Sequence, residues 1–451
     1  MDVSSNKNQK LKLNLKLFLQ IAFPLILLTL IPLQLAKNIY FKRSPTTTPA
    51  SSSSTPKIYI NNEVEEATHP PAPPKHGSLP PTTRKCDIFS GEWVPNPEAP
   101  YYTNTTCWAI HEHQNCMKYG RPDSEFMKWK WKPDGCELPI FNPRQFFEIV
   151  RGKSLAFIGD SVARNQMQSL ICLLSRVEYP YDVSYTKDEH YKRWHYNNYN
   201  FTVAMFTSTF LVKAQENDPN GPNGTGMFGL FLDEPDETWT TKIDEFDYII
   251  LSAGHWFFRP MMYYEKGSLM GCRFCQIPNV KDYTMAYGYQ KAFNTAFRAI
   301  LERESFKGVV YLRTFAPSHF EGGEWNKGGN CLRQKPYKSS EINLEGIDLD
   351  LYMAQLGEFK KAQKLGRQRG LGFRLIDMTQ PILMRPDGHP SKYGHWPNEN
   401  VTLYNDCVHW CLPGPIDNWN DFLLEMIRSE GVRSKEDMVL HSKERKLKSR
   451  R

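Results

Sequence analysis

Two short motifs carry the residue types needed to move an acyl group. Gly159-Asp160-Ser161 closes the apolar run Ser154-Leu155-Ala156-Phe157-Ile158, and Asp406-Cys407-Val408-His409 lies far downstream. A serine supplies a nucleophile, a histidine a general base, and an aspartate holds the histidine in the required tautomer. The Asp-x-x-His spacing brings the carboxylate within reach of the imidazole. Each motif also has a plainer reading. Gly-Asp-Ser is an ordinary strand-to-helix turn with serine as N-cap, and Asp406 to Cys411 is a surface turn clamped by its two cysteines. Metal chemistry has weaker claims. His111-x-His113 lacks a clear third ligand, and Asp348-Leu349-Asp350 sits between a glycine and a predicted helix rather than after a strand. No metal site is expected.

The elements around the first motif favour catalysis. Ser154–Ile158 reads as a strand buried on both faces, and Ser161–Leu174 as the helix after it. Further strands are predicted at Phe201–Phe206, Phe246–Ser252, Gly308–Arg313 and Phe373–Asp377, with helices at Thr284–Glu304 and Tyr352–Arg369. Strands alternating with helices imply an α/β fold with a central parallel sheet covered on both sides. In such a sheet functional groups collect where the strands end. Ser161 would open a helix there, where its own N–H and the helix dipole favour a developing oxyanion. Ser252-Ala253-Gly254-His255-Trp256 and Thr314-Phe315-Ala316-Pro317-Ser318-His319-Phe320 should border the same cleft.

At 451 residues the chain has room for one large domain or two ordinary ones. Its formal charge of +7 gathers largely at the ends, and no basic-aromatic groove points to nucleic acid. Leu17–Ala36 is almost uninterrupted apolar sequence; roughly 20 residues suffice to cross a bilayer core, and no cleavage site follows. Residues 1–16 are then a cytoplasmic tail, 17–36 a signal anchor, 37–85 a Pro/Ser/Thr-rich lumenal stem, 86–430 the folded domain and 431–451 a basic tail. Within the domain, residues 86–150 are rich in Trp, Pro, Gly and Cys with little periodicity, as expected of a disulfide-stapled, loop-rich subdomain. Four sequons, at Asn104, Asn200, Asn223 and Asn400, fall on the lumenal side. This is the layout of a single-pass type II Golgi membrane enzyme. Ten cysteines in a lumenal chain suggest disulfides, and Cys272-x-x-Cys275, with no second CxxC, reads as a local staple.

The longer stretches resemble the plant trichome-birefringence-like family, polysaccharide O-acetyltransferases related to SGNH/GDSL esterases. The carriers are Ile158-Gly159-Asp160-Ser161-Val162-Ala163-Arg164-Asn165-Gln166 and Asp406-Cys407-Val408-His409-Trp410-Cys411-Leu412-Pro413-Gly414-Pro415. Cys86 to Val94, Gly254-His255-Trp256 and Arg313 to Phe320 support them. The resemblance implies a three-layer SGNH-like fold in which Ser161 takes an acetyl group and passes it to a sugar hydroxyl. His409 would be the base and Asp406 its partner. Gly159 and Asp160 would support the turn. The oxyanion hole departs from the SGNH pattern, because Gly254-His255 stands where Gly-x-Asn-Asp is usual. That leaves Gly254 to donate its N–H and Arg164 or Asn165 to supply the missing donor. His255, Trp256, Arg313, His319 and Trp410 are expected to line the substrate cleft.

The resemblance also implies the bridges Cys86–Cys136, Cys107–Cys172, Cys116–Cys411, Cys331–Cys407 and Cys272–Cys275. No bound cofactor is implied; acetyl-CoA or a derived acetyl donor would be a co-substrate, delivered through membrane partners. The segment Trp256-Phe257-Phe258-Arg259-Pro260 and the Gly271–Cys275 insert resemble the branch acting on xyloglucan. Xylan, mannan or pectin acetylation, a polysaccharide acetyl esterase and a non-catalytic polysaccharide-binding protein are the competing readings.

Overall fold

The computed structural model describes residues 86–185, 188, 190–217, 226–275, 277–397 and 404–430. The expected anchor, stem and two tails, and the sequons at Asn223 and Asn400, lie outside them. Among the described residues no helix is long and apolar enough to cross a membrane. Asn104 is partly exposed and Asn200 exposed.

The stapled subdomain contains an antiparallel hairpin of β1 (Gly91–Pro95) and β2 (Trp129–Pro133). Its register sets Trp93 opposite Trp131, with ring centroids 5.5 Å apart. α1 (Pro143–Ile149) follows; Asn142 caps it by accepting from the Gln145 N–H, and Pro143 suits the first turn because no N–H is needed there. β3 (Ser154–Gly159) and α2 (Ser161–Leu174) then form the first strand-helix unit.

β3 is the middle of a seven-stranded sheet. On one side lie β9 (Tyr248–Ser252), β12 (Val309–Arg313) and β13 (Gly372–Ile376). On the other lie β6 (Phe201–Thr207), β5 (Tyr191–Tyr196) and β4 (Tyr181–Asp182). The spatial order is β13-β12-β9-β3-β6-β5-β4. Side chains alternate across the strands and so feed two cores. Leu155, Phe157, Val203, Met205, Ile250 and Tyr311 enter one, with α1, α2 and the helix of residues 419–430. Ala156, Ile158, Ala204, Phe206, Ile249 and Leu251 enter the other, with α3 (Met285–Glu302) and α4 (Gly346–Gln368). Each fully buried Leu or Phe contributes about 1.5–3 kcal/mol, so these strands hold the three layers together.

The sheet departs from the all-parallel expectation at one edge. β5 runs antiparallel to β6, and β4 antiparallel to β5. The turn from β5 to β6 is only residues 197–200, too short for the crossover that a parallel pair requires. A second, four-stranded sheet was not expected. Its order is β11 (Ser268–Arg273), β10 (Met261–Glu265), β8 (Phe228–Pro235) and β7 (Val212–Glu216). It buries Leu230, Leu232, Met261 and Tyr263 in the second core. α4 begins at Gly346 rather than at Tyr352, which places Asp348 and Asp350 inside the helix.

All ten cysteines are paired: Cys86–Cys136, Cys107–Cys172, Cys116–Cys411, Cys272–Cys275 and Cys331–Cys407. The third and fifth of these bind the C-terminal motif to distant parts of the chain, with sequence separations of 295 and 76.

Candidate active site

The turn from β3 into α2 works only with glycine at its bend. Gly159 has φ 155°, and a Cβ there would lie 1.7 Å from the Ser252 carbonyl oxygen. This close approach seats the end of β3 against β9. Asp160 is buried and serves as N-cap. Its Oδ1 accepts from the Val162 N–H at 2.9 Å, and its Oδ2 from the Gly254 N–H at 2.8 Å. One carboxylate thus starts the helix and ties in the loop after β9. Ser161 is the first residue of α2, where its N–H has no partner within the helix.

The C-terminal motif meets this turn directly. His409 Nε2 lies 2.7 Å from Ser161 Oγ, and His409 Nδ1 lies 2.8 Å from Asp406 Oδ2. The other oxygen of Asp406 accepts from the backbone N–H groups of His409, at 2.9 Å, and Val408, at 3.1 Å. A carboxylate accepts only, so the Nδ1 of His409 carries the proton and its Nε2 presents a lone pair to the serine hydroxyl. The side chains of His409 and Asp406 keep 24% and 22% of their surface exposed, so an incoming substrate can reach the serine-histidine pair.

Burial opposes charge at both positions, and their pairing overrides it. Burial pushes the Asp406 carboxyl up, but the His409 charge and the three hydrogen bonds hold it well below its ordinary value. Burial pushes His409 down, but the Asp406 charge and hydrogen bond, with Asp160 beyond, hold it above its ordinary value; Arg164 pushes the other way. The arrangement can therefore stabilise an imidazolium if the serine hydroxyl gives up its proton.

Several residues assigned to the site from sequence have other work. Gly254 cannot offer its N–H to an oxyanion, because that N–H points into the buried Asp160 carboxylate. Asn165 is fully buried and does not face the cleft either. Its Oδ1 accepts from the Trp410 N–H at 2.8 Å, and its Nδ2 donates to the Trp410 carbonyl at 3.3 Å. Arg313, His319 and Trp410 were expected to line the cleft, and all three are buried. Arg313 donates to the Thr314 carbonyl and lies 4.9 Å from the Trp419 ring; burial pushes it down to about 10 despite the pull of Asp160 and Tyr289. Trp410 stacks on His389 at 4.0 Å. His255 and Trp256 stay partly exposed. His255 shares a 2.8 Å hydrogen bond with the Ala316 carbonyl, and burial pushes it down to about 4 despite the pull of Asp160. Trp256 lies under the Arg259 guanidinium at 4.0 Å.

Arg164 is different. It follows Ser161 by three residues in α2 and so shares its face. Its Nε is buried without a hydrogen-bond partner. Burial lowers its pKa against the attraction of Asp160.

Residues that the sequence reading passed over complete the setting. His111 was weighed only as a metal ligand. After burial, the charges of Arg164, His113 and His409 lower it further, which places it within electrostatic reach of the site. His389 and Arg121 hold the motif from behind: Arg121 donates to the carbonyls of Asp387, at 2.6 Å, and His389, at 2.7 Å. Short bonds join Cys411 N–H to the Gly388 carbonyl and Asp406 to Ser391 in both directions. No periodicity marks such contacts; they depend on loops meeting across the fold.

The clamp by Asn165 yields a test. Asn165→Ala strands a buried N–H and carbonyl of Trp410, which costs about 1–3 kcal/mol. The variant is expected to melt earlier. Unchanged melting would show that the clamp is dispensable.

Comparison with known proteins agrees with this architecture. Residues 138–426 match the GDSL/SGNH-like acyl-esterase family found in Pmr5 and Cas1p, and residues 84–137 match the PMR5 N-terminal domain. Protein trichome birefringence-like 19 of Arabidopsis thaliana is 57% identical over 92% of this chain and 94% of its own length. Xyloglucan O-acetyltransferase 4 of Populus trichocarpa is 45% identical over 76% of this chain and 81% of its own. Xyloglucan O-acetyltransferase 2 of Arabidopsis thaliana is 42% identical, over 76% and 83%. With the SGNH-like α/β fold, these matches establish that the chain belongs to the trichome birefringence-like family of polysaccharide O-acetyltransferases.

Proposed function

We propose that this chain transfers acetyl groups to hydroxyls of a cell-wall polysaccharide, most directly xyloglucan, through an acetyl-Ser161 intermediate. The observation that carries the proposal is the hydrogen-bonded relay from Ser161 through His409 to Asp406, with contacts of 2.7 and 2.8 Å. In the first step Ser161 Oγ attacks the donor's acetyl carbonyl while His409 Nε2 takes the hydroxyl proton. Collapse expels the donor's leaving group, which receives that proton from His409. In the second step an acceptor hydroxyl attacks acetyl-Ser161. His409 takes its proton and returns it to Ser161 Oγ as the acetyl ester of the sugar departs. Asp406 keeps the Nε2 lone pair aimed at the reacting oxygen and stabilises each imidazolium. The Ser161 N–H at the start of α2 and the Arg164 guanidinium are the donors assigned to the oxyanion.

Xyloglucan as acceptor rests on the similarity to the poplar and Arabidopsis xyloglucan O-acetyltransferases. The proposal includes an acetyl-CoA-derived donor reaching the site through a membrane partner. It also places the chain in the Golgi membrane as a glycosylated type II protein, on the strength of the apolar segment 17–36 and the sequons. The test incubates the full chain with an acetyl donor and xyloglucan oligosaccharides, with xylan, mannan and pectin oligosaccharides in parallel. Acetyl mass gain on xyloglucan is the expected result. Gain on another polymer would move the acceptor assignment. Loss of acetyl from pre-acetylated oligosaccharide, without transfer, would replace the transferase by an esterase.

A further inference from the structure

Behind the motif lies a pair of histidines whose hydrogen bonds demand one proton more than two neutral rings possess. His319 Nε2 is 2.8 Å from the Leu383 carbonyl oxygen. His389 Nδ1 is 2.6 Å from the His409 carbonyl oxygen. The remaining nitrogens, His319 Nδ1 and His389 Nε2, are 2.7 Å apart. A carbonyl oxygen only accepts, so the first two nitrogens must each carry a proton. A neutral imidazole has a single N–H. Two neutral rings would then face each other lone pair to lone pair at hydrogen-bond distance. A third proton between them satisfies all three contacts.

We propose that His319 and His389 share this third proton, and that the N–H thereby held on His389 Nδ1 is the positioning device that fixes the backbone of His409. The positioning half of this rests on the reading of His409 as the base. The proton count does not.

The surroundings act on this proton in both directions. His319 and His389 are 8% and 1% exposed, and the 2.7 Å between their facing nitrogens leaves no room for a water between them. The Trp410 indole stacks on His389 at 4.0 Å and meets His319 edge-on at 5.9 Å, and an aromatic face favours a cation. Glu321 near His319 and Asp406 near His389 attract the proton, while His255 and His409 oppose it. Arg121, on the His389 carbonyl, adds a further opposing charge, and it is itself paired with Asp123. Burial is the largest influence and pushes both rings below the ordinary histidine pKa, His319 to about 4, and a charge on one ring opposes a proton on the other, so the proton is retained only by the three short hydrogen bonds. If the pair loses its third proton, one contact must become repulsive, and the 2.6 Å hold on the His409 carbonyl is then placed at risk.

Nuclear magnetic resonance of the full chain with ring-labelled histidine reads the proton count directly. The expected spectrum shows three ring N–H protons over this pair, one of them shared and strongly low-field, and that signal disappears in His319→Phe. Only two ring protons, with no shared signal, would overturn the proposal whether or not the chain acetylates anything. Kinetics reads the positioning. His389→Phe removes the donor to His409 and should lower kcat about 100-fold, the cost of a misplaced catalytic group, while KM for the acceptor stays near its starting value. His389→Asn keeps an N–H where Nδ1 was and should recover most of that loss. Equal kcat in His389→Phe and the unsubstituted chain, or no recovery in His389→Asn, would refute the positioning role. Full transfer by His409→Ala would instead refute His409 as base and leave the proton count standing.

Discussion

Ser161→Ala is expected to form no acetyl-enzyme and to lose transfer by on the order of 10⁴-fold or more, the scale seen when a serine nucleophile is removed from a relay of this kind. The substitution deletes one hydroxyl from the first turn of a helix. The cap of that helix is the neighbouring carboxylate of Asp160, so α2 should start as before. Folding and catalysis therefore separate cleanly at this position. Intact-mass measurement after mixing with donor, paired with a melting curve, checks both. His409→Ala should fall by a similar factor, and the double variant by little more than either single one, because the two act as a unit. Substantial turnover in Ser161→Ala would remove the covalent intermediate from the mechanism.

Asp406→Asn is the second large effect, and its cause lies in how the two carboxylate oxygens are divided. Oδ1 accepts from two backbone N–H groups, of Val408 and His409. An amide must keep its oxygen on that side and so turns its NH2 toward His409 Nδ1. The histidine must then accept at Nδ1 and carry its proton on Nε2, against Ser161 Oγ. The base becomes a donor with scarcely a change in shape. A loss of about 10⁴-fold in kcat is expected, as for the same exchange in a serine protease.

The pH profile should shift as well. Catalysis needs neutral His409, whose pKa Asp406 holds above its ordinary value. Transfer by the unsubstituted chain should thus rise with pH through a point above the usual histidine pKa of about 6.5. In Asp406→Asn the residual activity should titrate lower. Stability carries the complementary signs. The lowered Asp406 contributes stability that is present above its unfolded pKa of about 3.9 and is lost as pH falls through its folded value. The raised His409 contributes stability that is present below about 6.5 and is lost as pH rises through its folded value. A profile that does not move on Asp406→Asn would sever the electrostatic link between the two residues.

The legible part of this molecule is the part whose physics is local. β3, β6, β9, β12 and β13 are apolar runs because both faces of the central sheet are covered, and such runs stand out in a sequence. β5 reads Tyr-Lys-Arg-Trp-His-Tyr, and β7 is exposed after its first residue, so neither shows a clean pattern. Their pairing is decided by neighbours. The same holds in the site. Serine, histidine and aspartate could be named by type and spacing. Whether the Gly254 N–H faces a cleft or a buried carboxylate depends on Asp160, 94 residues away. Asn165 likewise looked like an oxyanion donor until Trp410 met it from 245 residues away. Cys116 and Cys411 are distant in sequence too, and their pairing came through resemblance, not through spacing.

That pairing has a consequence for how the protein is made. Only Val408, His409 and Trp410 separate Cys407 from Cys411, and each of those cysteines is bridged to a residue translated much earlier. A growing chain can complete β3, α2 and most of the sheet while Cys116 and Cys331 are still waiting thiols. His409, the proposed base, is translated after both of those partner cysteines and lies between the two bridges. On the proposed mechanism, catalytic competence then requires both bridges, and loss of transfer on mild reduction with the far-ultraviolet circular dichroism unchanged is the expected result.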